Sequence, residues 1–174
     1  MIIGDVGAGK TRLTRRLLRE AISLGYSREI TVIDMAPKME IIDGKPIGGR
    51  LLESEERPRE IRYLVPIRVE MPRVKASSAE ELRHLVHLNA ERIRPLLEAY
   101  LRSPSSILFI NDASIYLQSG RLHPLTDAIE KAETAIINGY YGEHLTEDMG
   151  TGVSDVERRL MEQLASMMDI VINL

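Results

Sequence analysis

"GDVGAGKT", residues 4–11, decides how this chain is read. Gly4, Gly7 and Gly9 free the backbone of side chains where a tight turn needs it. Met1, Ile2 and Ile3 precede the stretch, and an amphipathic run follows it. Over residues 11–24, Leu13, Leu17, Leu18, Ala21 and Ile22 share one helical face, with Arg12, Arg15, Arg16 and Arg19 largely off it; Gly25 stops the run. The spacing predicts a strand, a glycine turn and a helix in direct succession. In such a turn successive N–H groups point into one cavity, and the positive end of the helix is aimed at the same place. That combination suits a phosphate group. Three residues are few for a buried strand, which usually runs to about five or six. Either flanking strands grip residues 1–3 from both sides, as a central parallel strand, or the chain's true start lies upstream.

Apolar runs alternate with helical patterns further along. "EITVIDMAP" (29–37) is a buried-type strand ending in Asp34 and broken by Pro37. Residues 38–60 carry Asp43-Gly44, Gly48-Gly49, two prolines and dense charge, which predicts a mobile excursion with a small hairpin at Asp43-Gly44. "IRYLVPIRV" (61–69) is a strand demoted toward an edge by Pro66. Ser77 with Glu80, and Ser78 with Glu81, are overlapping capping boxes. They open a long helix with Leu82, Leu85, Val86, Ala90, Ile93, Leu97 and Leu101 on one face, which Pro95 is expected to kink or split. "SSILFIND" (105–112) is the strongest strand. Residues 124–132 read as a helix, "TAIIN" (134–138) as a buried strand, and 139–153 as a loop rich in Gly and Tyr. Ser154 with Glu157 forms a third capping box for a helix running to about Met168, and "DIVINL" (169–174) is a closing strand. Nearly all-apolar strands alternating with helices predict an α/β fold: a three-layer α/β/α sandwich, its sheet mainly parallel, in one domain over residues 1–174.

Composition narrows the function classes. The 174 residues are 44% hydrophobic and 28% charged, ordinary for one soluble globular domain. A net charge of −3 gives no general attraction to nucleic acid or acidic membranes. No apolar run approaches the roughly 18 residues of a membrane span, and there is no leader with a cleavage site. The expected location is the cytoplasm. With no cysteine, disulfides, cysteine-ligated zinc, iron–sulfur clusters and thiol catalysis are excluded.

Residues 4–11 match G-x-x-x-x-G-K-[ST] at every fixed position, and here the chain resembles the P-loop NTPase superfamily. The resemblance implies a nucleoside triphosphate, Mg²⁺ and the three-layer fold. It implies that Gly4, Asp5, Val6, Gly7, Ala8 and Gly9, with Lys10, Thr11 and Arg12, surround the phosphates. Lys10 would reach the β- and γ-phosphates, and the Thr11 hydroxyl would ligate Mg²⁺. "ILFIND" (107–112) looks like a Walker B motif, which gives Asp112 the metal shell. Many ATPase motors carry a Glu directly after that Asp; Ala113 stands here. "VIDMAP" (32–37) resembles, over a few residues, the ParA/MinD-like ATPases, in which an Asp at this point positions the attacking water. That gives Asp34 a catalytic role. The early lysine of that branch is missing, with Asp5 and Val6 where "KGG" would stand.

The expected catalytic residues are thus Lys10, Asp34 and Asp112, with Thr11 and Asp112 on the metal. Asn138 is a candidate for hydrogen bonding to the base, and Tyr140 or Tyr141 for stacking on it, against the plainer reading of a turn with surface tyrosines. Neither N-K-x-D nor T-K-x-D occurs, so ATP is favoured over GTP. Arg50, Arg57 and Arg59 are candidates for neutralising transition-state charge. His84 and His87 lie three apart on the long helix and read as a surface pair. The expected function is Mg²⁺-dependent ATP binding with hydrolysis. The alternatives are a small-molecule kinase, its acceptor held by the 38–60 and 139–153 loops, and a nucleotide-sensing switch read by a protein partner or a homodimer.

Overall fold

The computed structural model describes residues 1–42, 45–53 and 56–174. Its framework is a six-stranded sheet in which every pairing is parallel. The order runs β5 (Arg62–Leu64), β2 (Ile30–Asp34), β6 (Ile107–Asn111), β7 (Thr134–Tyr140), β1 (Ile2–Gly4) and β8 (Ile172–Asn173). The first strand is short but held on both sides, with Ile2 opposite Asn138 of β7 and Ile172 of β8. Met1, Ile2 and Ile3 are 8%, 2% and 8% exposed, as expected of a strand gripped by two neighbours.

Residue parity sorts the strands between two faces. Ile30, Val32 and Phe109 pack with Leu18 of α1 (Lys10–Ser23) and with Leu51, Leu52 and Ile61. Ile33, Leu108, Ile110 and Ile137 point the other way. They pack with Ala90, Ile93, Leu97 and Tyr100 of α3 (Ala79–Arg102) and with α4 (Ala113–Leu117), α5 (His123–Glu130) and α6 (Val153–Ser166). Burial on both faces is why these strands are apolar without alternation. The result is the expected three-layer α/β architecture. Among the described residues, no helix is long and apolar enough to cross a membrane.

Several local expectations are modified. In the 38–60 segment, β3 (Glu40–Ile42) and β4 (Lys45–Ile47) pair antiparallel, while the Asp43-Gly44 turn lies outside the described residues. The segment is not an excursion throughout. Leu51 and Leu52 are buried, and Arg15 donates to the carbonyls of Leu51 at 2.7 Å and Arg50 at 2.8 Å. Helix α3 runs unsplit through Pro95, because its buried face from Leu82 to Tyr100 is continuous. Ser78 caps it by accepting from Glu81 N, while the Glu81 carboxylate turns back to Ser77. Two short helices, α2 (Pro72–Lys75) and α4, carry too few residues for periodicity to announce them.

Pro95 is exposed and interrupts the hydrogen bonding of an otherwise regular helix. Pro95→Ala restores that bond without opening a void and is expected to stabilise the chain by about 1–3 kcal/mol, the scale of the proline penalty. An unchanged or lowered urea midpoint contradicts this.

Candidate functional site

The strand-to-helix turn has the backbone its glycines were expected to provide. Gly7 and Gly9 have φ of 76° and 96°, in the left-handed region, with open space where a Cβ would stand. Glycine is therefore required there by the backbone alone. Gly9 caps α1, so the free N–H groups of its first turn face the same end as the turn. Lys10 Nζ folds back and donates to the carbonyls of Gly4 at 2.9 Å and Asp5 at 2.6 Å. Burial lowers the Lys10 pKa, while Asp112 and Asp5 favour its charge.

Asp112 sits where β6 hands over to α4, with φ of 60°. Its side chain accepts from Ser114 Oγ at 2.6 Å, and Ser114 Oγ in turn accepts from Tyr140 N at 3.0 Å. Burial raises the Asp112 carboxyl, against the Ser114 hydrogen bond and the Lys10 charge. A cavity of about 110 Å³ is lined by Val6, Gly7, Lys10, Thr11, Asp112, Asn138 and Tyr140, with Ala36, Leu145 and residues 47–49 completing the wall. Sequence-expected residues from three separate segments thus meet at one opening, outside the carboxyl ends of the strands. Arg12 is exposed on α1 and is not part of this lining.

A row of polar side chains runs back from the cavity wall at Asn138. Asp34 is level with Asn111 on the adjoining strand. Asn111 Nδ2 donates to Asp34 Oδ1 at 2.7 Å, and Asn138 Nδ2 donates to Asn111 Oδ1 at 2.8 Å. Asn138 Nδ2 also donates to Thr14 Oγ1 at 2.8 Å, and Thr14 donates to Lys10 O at 2.9 Å. All four side chains belong to residues no more than 2% exposed. Their parity puts them on the α1 face, opposite Ile33, Ile110 and Ile137.

This row changes the roles expected of two residues. Asp34, expected to orient water, is not among the residues that line the cavity. Its oxygens accept from Asn111 Nδ2, Leu51 N at 2.8 Å, Ala36 N at 3.3 Å and the Tyr63 hydroxyl. Burial pushes its carboxyl up, opposed by these hydrogen bonds. Its evident task is to fasten the Arg50–Leu52 segment to the sheet. Asn138 spends both amide protons on Thr14 and Asn111, and its oxygen accepts from Asp112 N at 2.9 Å. In this arrangement it has no donor left for a base; it holds the β6 and β7 ends in register beneath Lys10.

The tyrosines and arginines divide similarly. Tyr140 has two cations near its ring, with Lys10 Nζ 5.9 Å and the Arg73 guanidinium 5.2 Å from the ring centre. Tyr141 carries Arg158 over its ring and donates to Glu162. Arg57 stacks on Tyr63, Arg59 is exposed, and neither they nor Arg50 line the cavity over the turn. His84 and His87 are exposed on α3.

Arg73 is not singled out by its sequence, and Glu157 takes a different role from the capping one expected of it. Glu157 does not close a capping box: Gly152 caps α6, and Ser154 N donates to Asp148. Glu157 is 2% exposed and pairs with buried Arg73 at 2.9 Å. The pair stands at a cavity of about 340 Å³ walled by Tyr140, Tyr141, Leu145, Asp148 and Arg158. Only an acid followed by an apolar helical face was legible there, and a surface cap produces the same pattern.

Two outcomes test this account. Asp34→Ala leaves Leu51 N and the Tyr63 hydroxyl without their acceptor, at about 1–3 kcal/mol for each orphaned group, and leaves Asn111 Nδ2 with the Gly49 carbonyl alone. The unfolding midpoint is expected to fall steeply; a wild-type midpoint contradicts the fastening role. Burial pushes the Glu157 carboxyl up to about 7, with Arg73 pulling the other way. A folded-state pKa raised above the ordinary value of 4.5 contributes stability below that value, and this is lost as pH rises through about 7. Denaturation between pH 5 and 7.5 should show that decline in wild type and a flatter profile in Glu157→Gln; equal slopes contradict it. No family model matches the chain, and no curated protein or solved structure matches it.

Proposed function

We propose that the chain binds a nucleoside triphosphate, ATP, together with Mg²⁺ in the cavity over the glycine turn, and hydrolyses its γ-phosphate slowly. The observation that carries this reading is the convergence of Lys10, Thr11 and Asp112 on one opening at the N-terminus of α1. The turn's N–H groups and the Lys10 ammonium supply positive potential for the phosphates. The Thr11 hydroxyl and the Asp112 carboxylate are the oxygen ligands that would hold the cation, which supplies charge neutralisation at the phosphate oxygens. Asn138, Asn111 and Asp34 act from behind, fixing the strand ends that carry these groups.

Slow turnover follows from what lines the opening. Among the described residues of this lining, Asp112 is the one carboxylate. Ala113 follows it, and Asp34 is committed to its own four partners. This favours, as a second reading, a nucleotide-sensing switch whose loops are read by a protein partner or a second copy. The 340 Å³ cavity beside Tyr140 supports a third reading, transfer to a small-molecule acceptor.

Calorimetry with Mg–ATP tests the binding. Lys10→Ala removes a charge-assisted contact worth about 1.5–3 kcal/mol, so affinity should fall roughly ten- to hundredfold while the fold is kept. Asp112→Asn should weaken binding in Mg²⁺ more than in EDTA. Wild-type affinity in Lys10→Ala refutes the phosphate reading. Phosphate release without an added acceptor separates hydrolysis from the other two readings.

A further inference from the structure

One side chain ties the glycine turn to the loop after β7. Asp5 Oδ1 accepts from Val6 N at 2.6 Å. Asp5 Oδ2 accepts from Glu143 N at 2.9 Å and meets His144 Nδ1 at 2.7 Å. A backbone bond runs alongside, from Tyr141 N to Gly4 O at 2.9 Å. The fit is close: a Cβ on Gly142 would fall 2.6 Å from each Asp5 carboxylate oxygen. Burial raises the Asp5 pKa, but the hydrogen bonds from His144, Glu143 and Val6 outweigh it and bring it down to about 2. The carboxylate is therefore charged at neutral pH.

An anion thus already sits on one N–H of the turn, and Lys10 is held by the turn's own carbonyls. On the triphosphate reading, a phosphate bound by the Val6 N–H and the Lys10 ammonium would compete for both groups. The loop that Asp5 holds also supplies Gly142, Leu145 and Thr146 to the wall of the 340 Å³ cavity.

We propose that Asp5 is an internal competitor of phosphate: filling the turn displaces its carboxylate and releases residues 141–146, which couples the turn to the neighbouring cavity. The inference rests on the triphosphate reading above. Competition lowers triphosphate affinity in exchange for a loop that reports occupancy, and an effector-type coupling of this kind is reciprocal.

The test is amide hydrogen exchange over residues 141–146 in the full chain, with and without Mg–ATP, alongside calorimetry. In wild type, Mg–ATP should raise exchange there several-fold. Asp5→Ala and Gly142→Ala should show raised exchange without nucleotide, and should bind Mg–ATP about fivefold or more tightly. Gly142→Ala reaches the same contact from the opposite side, so the test survives if Asp5→Ala fails to fold. Wild-type protein that binds Mg–ATP with unchanged exchange at 141–146 overturns the coupling. So do variants that bind more weakly than wild type. Wild-type protein that does not bind Mg–ATP overturns the triphosphate reading, and that separate observation distinguishes the two failures.

Discussion

The buried hydrogen-bonded row from Asp34 through Asn111 and Asn138 to Thr14 is the constraint on which the candidate site depends. It crosses three adjacent strands and ends on α1. Buried amides and carboxylates are costly unless every donor and acceptor is satisfied. The row meets that condition only when the strand ends are level with one another and α1 lies across them. A slip of one residue in β6 or β7 would turn its Asn into the apolar layer beneath α3 and, in one direction, put Ile110 or Ile137 in the row. The polar row therefore specifies the register that apolar packing alone would leave degenerate. Asp112 and Tyr140, just beyond the row, inherit their positions from it.

Much of the fold was legible because it follows short periods. The turn at residues 4–11, the amphipathic face of α1 and the apolar runs at 30–34 and 107–111 each carry their signal within a few residues. The edge position of β5 agrees with the reading of 61–69, although the strand is shorter, Arg62–Leu64, and Pro66 lies beyond its end. The convergence of Lys10, Thr11 and Asp112 was also legible, because a parallel α/β sheet presents its strand ends on one rim.

What escaped the sequence depended on long-range neighbours. Asp34 has the position of a catalytic acid, but its partners Leu51, Tyr63 and Asn111 are 17, 29 and 77 residues away. Glu157 obeys a local capping pattern, yet it belongs to Arg73, 84 residues distant. Asn138 looked available because it precedes a loop; only its parity toward α1 commits it. In each case a local rule was outcompeted by the need to satisfy a buried polar group.

The pairing of β1 with β8 has a mechanical consequence. Ile172 N and Leu174 N donate to the carbonyls of Met1 and Ile3, and the Leu174 carbonyl would lie 2.6 Å from a Cβ on Gly4. The last strand is an outer one, and Ile170, Val171, Ile172 and Leu174 are 40–70% exposed. Tension applied along this edge would therefore be borne by a few hydrogen bonds in shear and delivered to the strand that carries the glycine turn. The glycine turn lies one strand in from this edge, so a load on the edge would reach it through a single ladder.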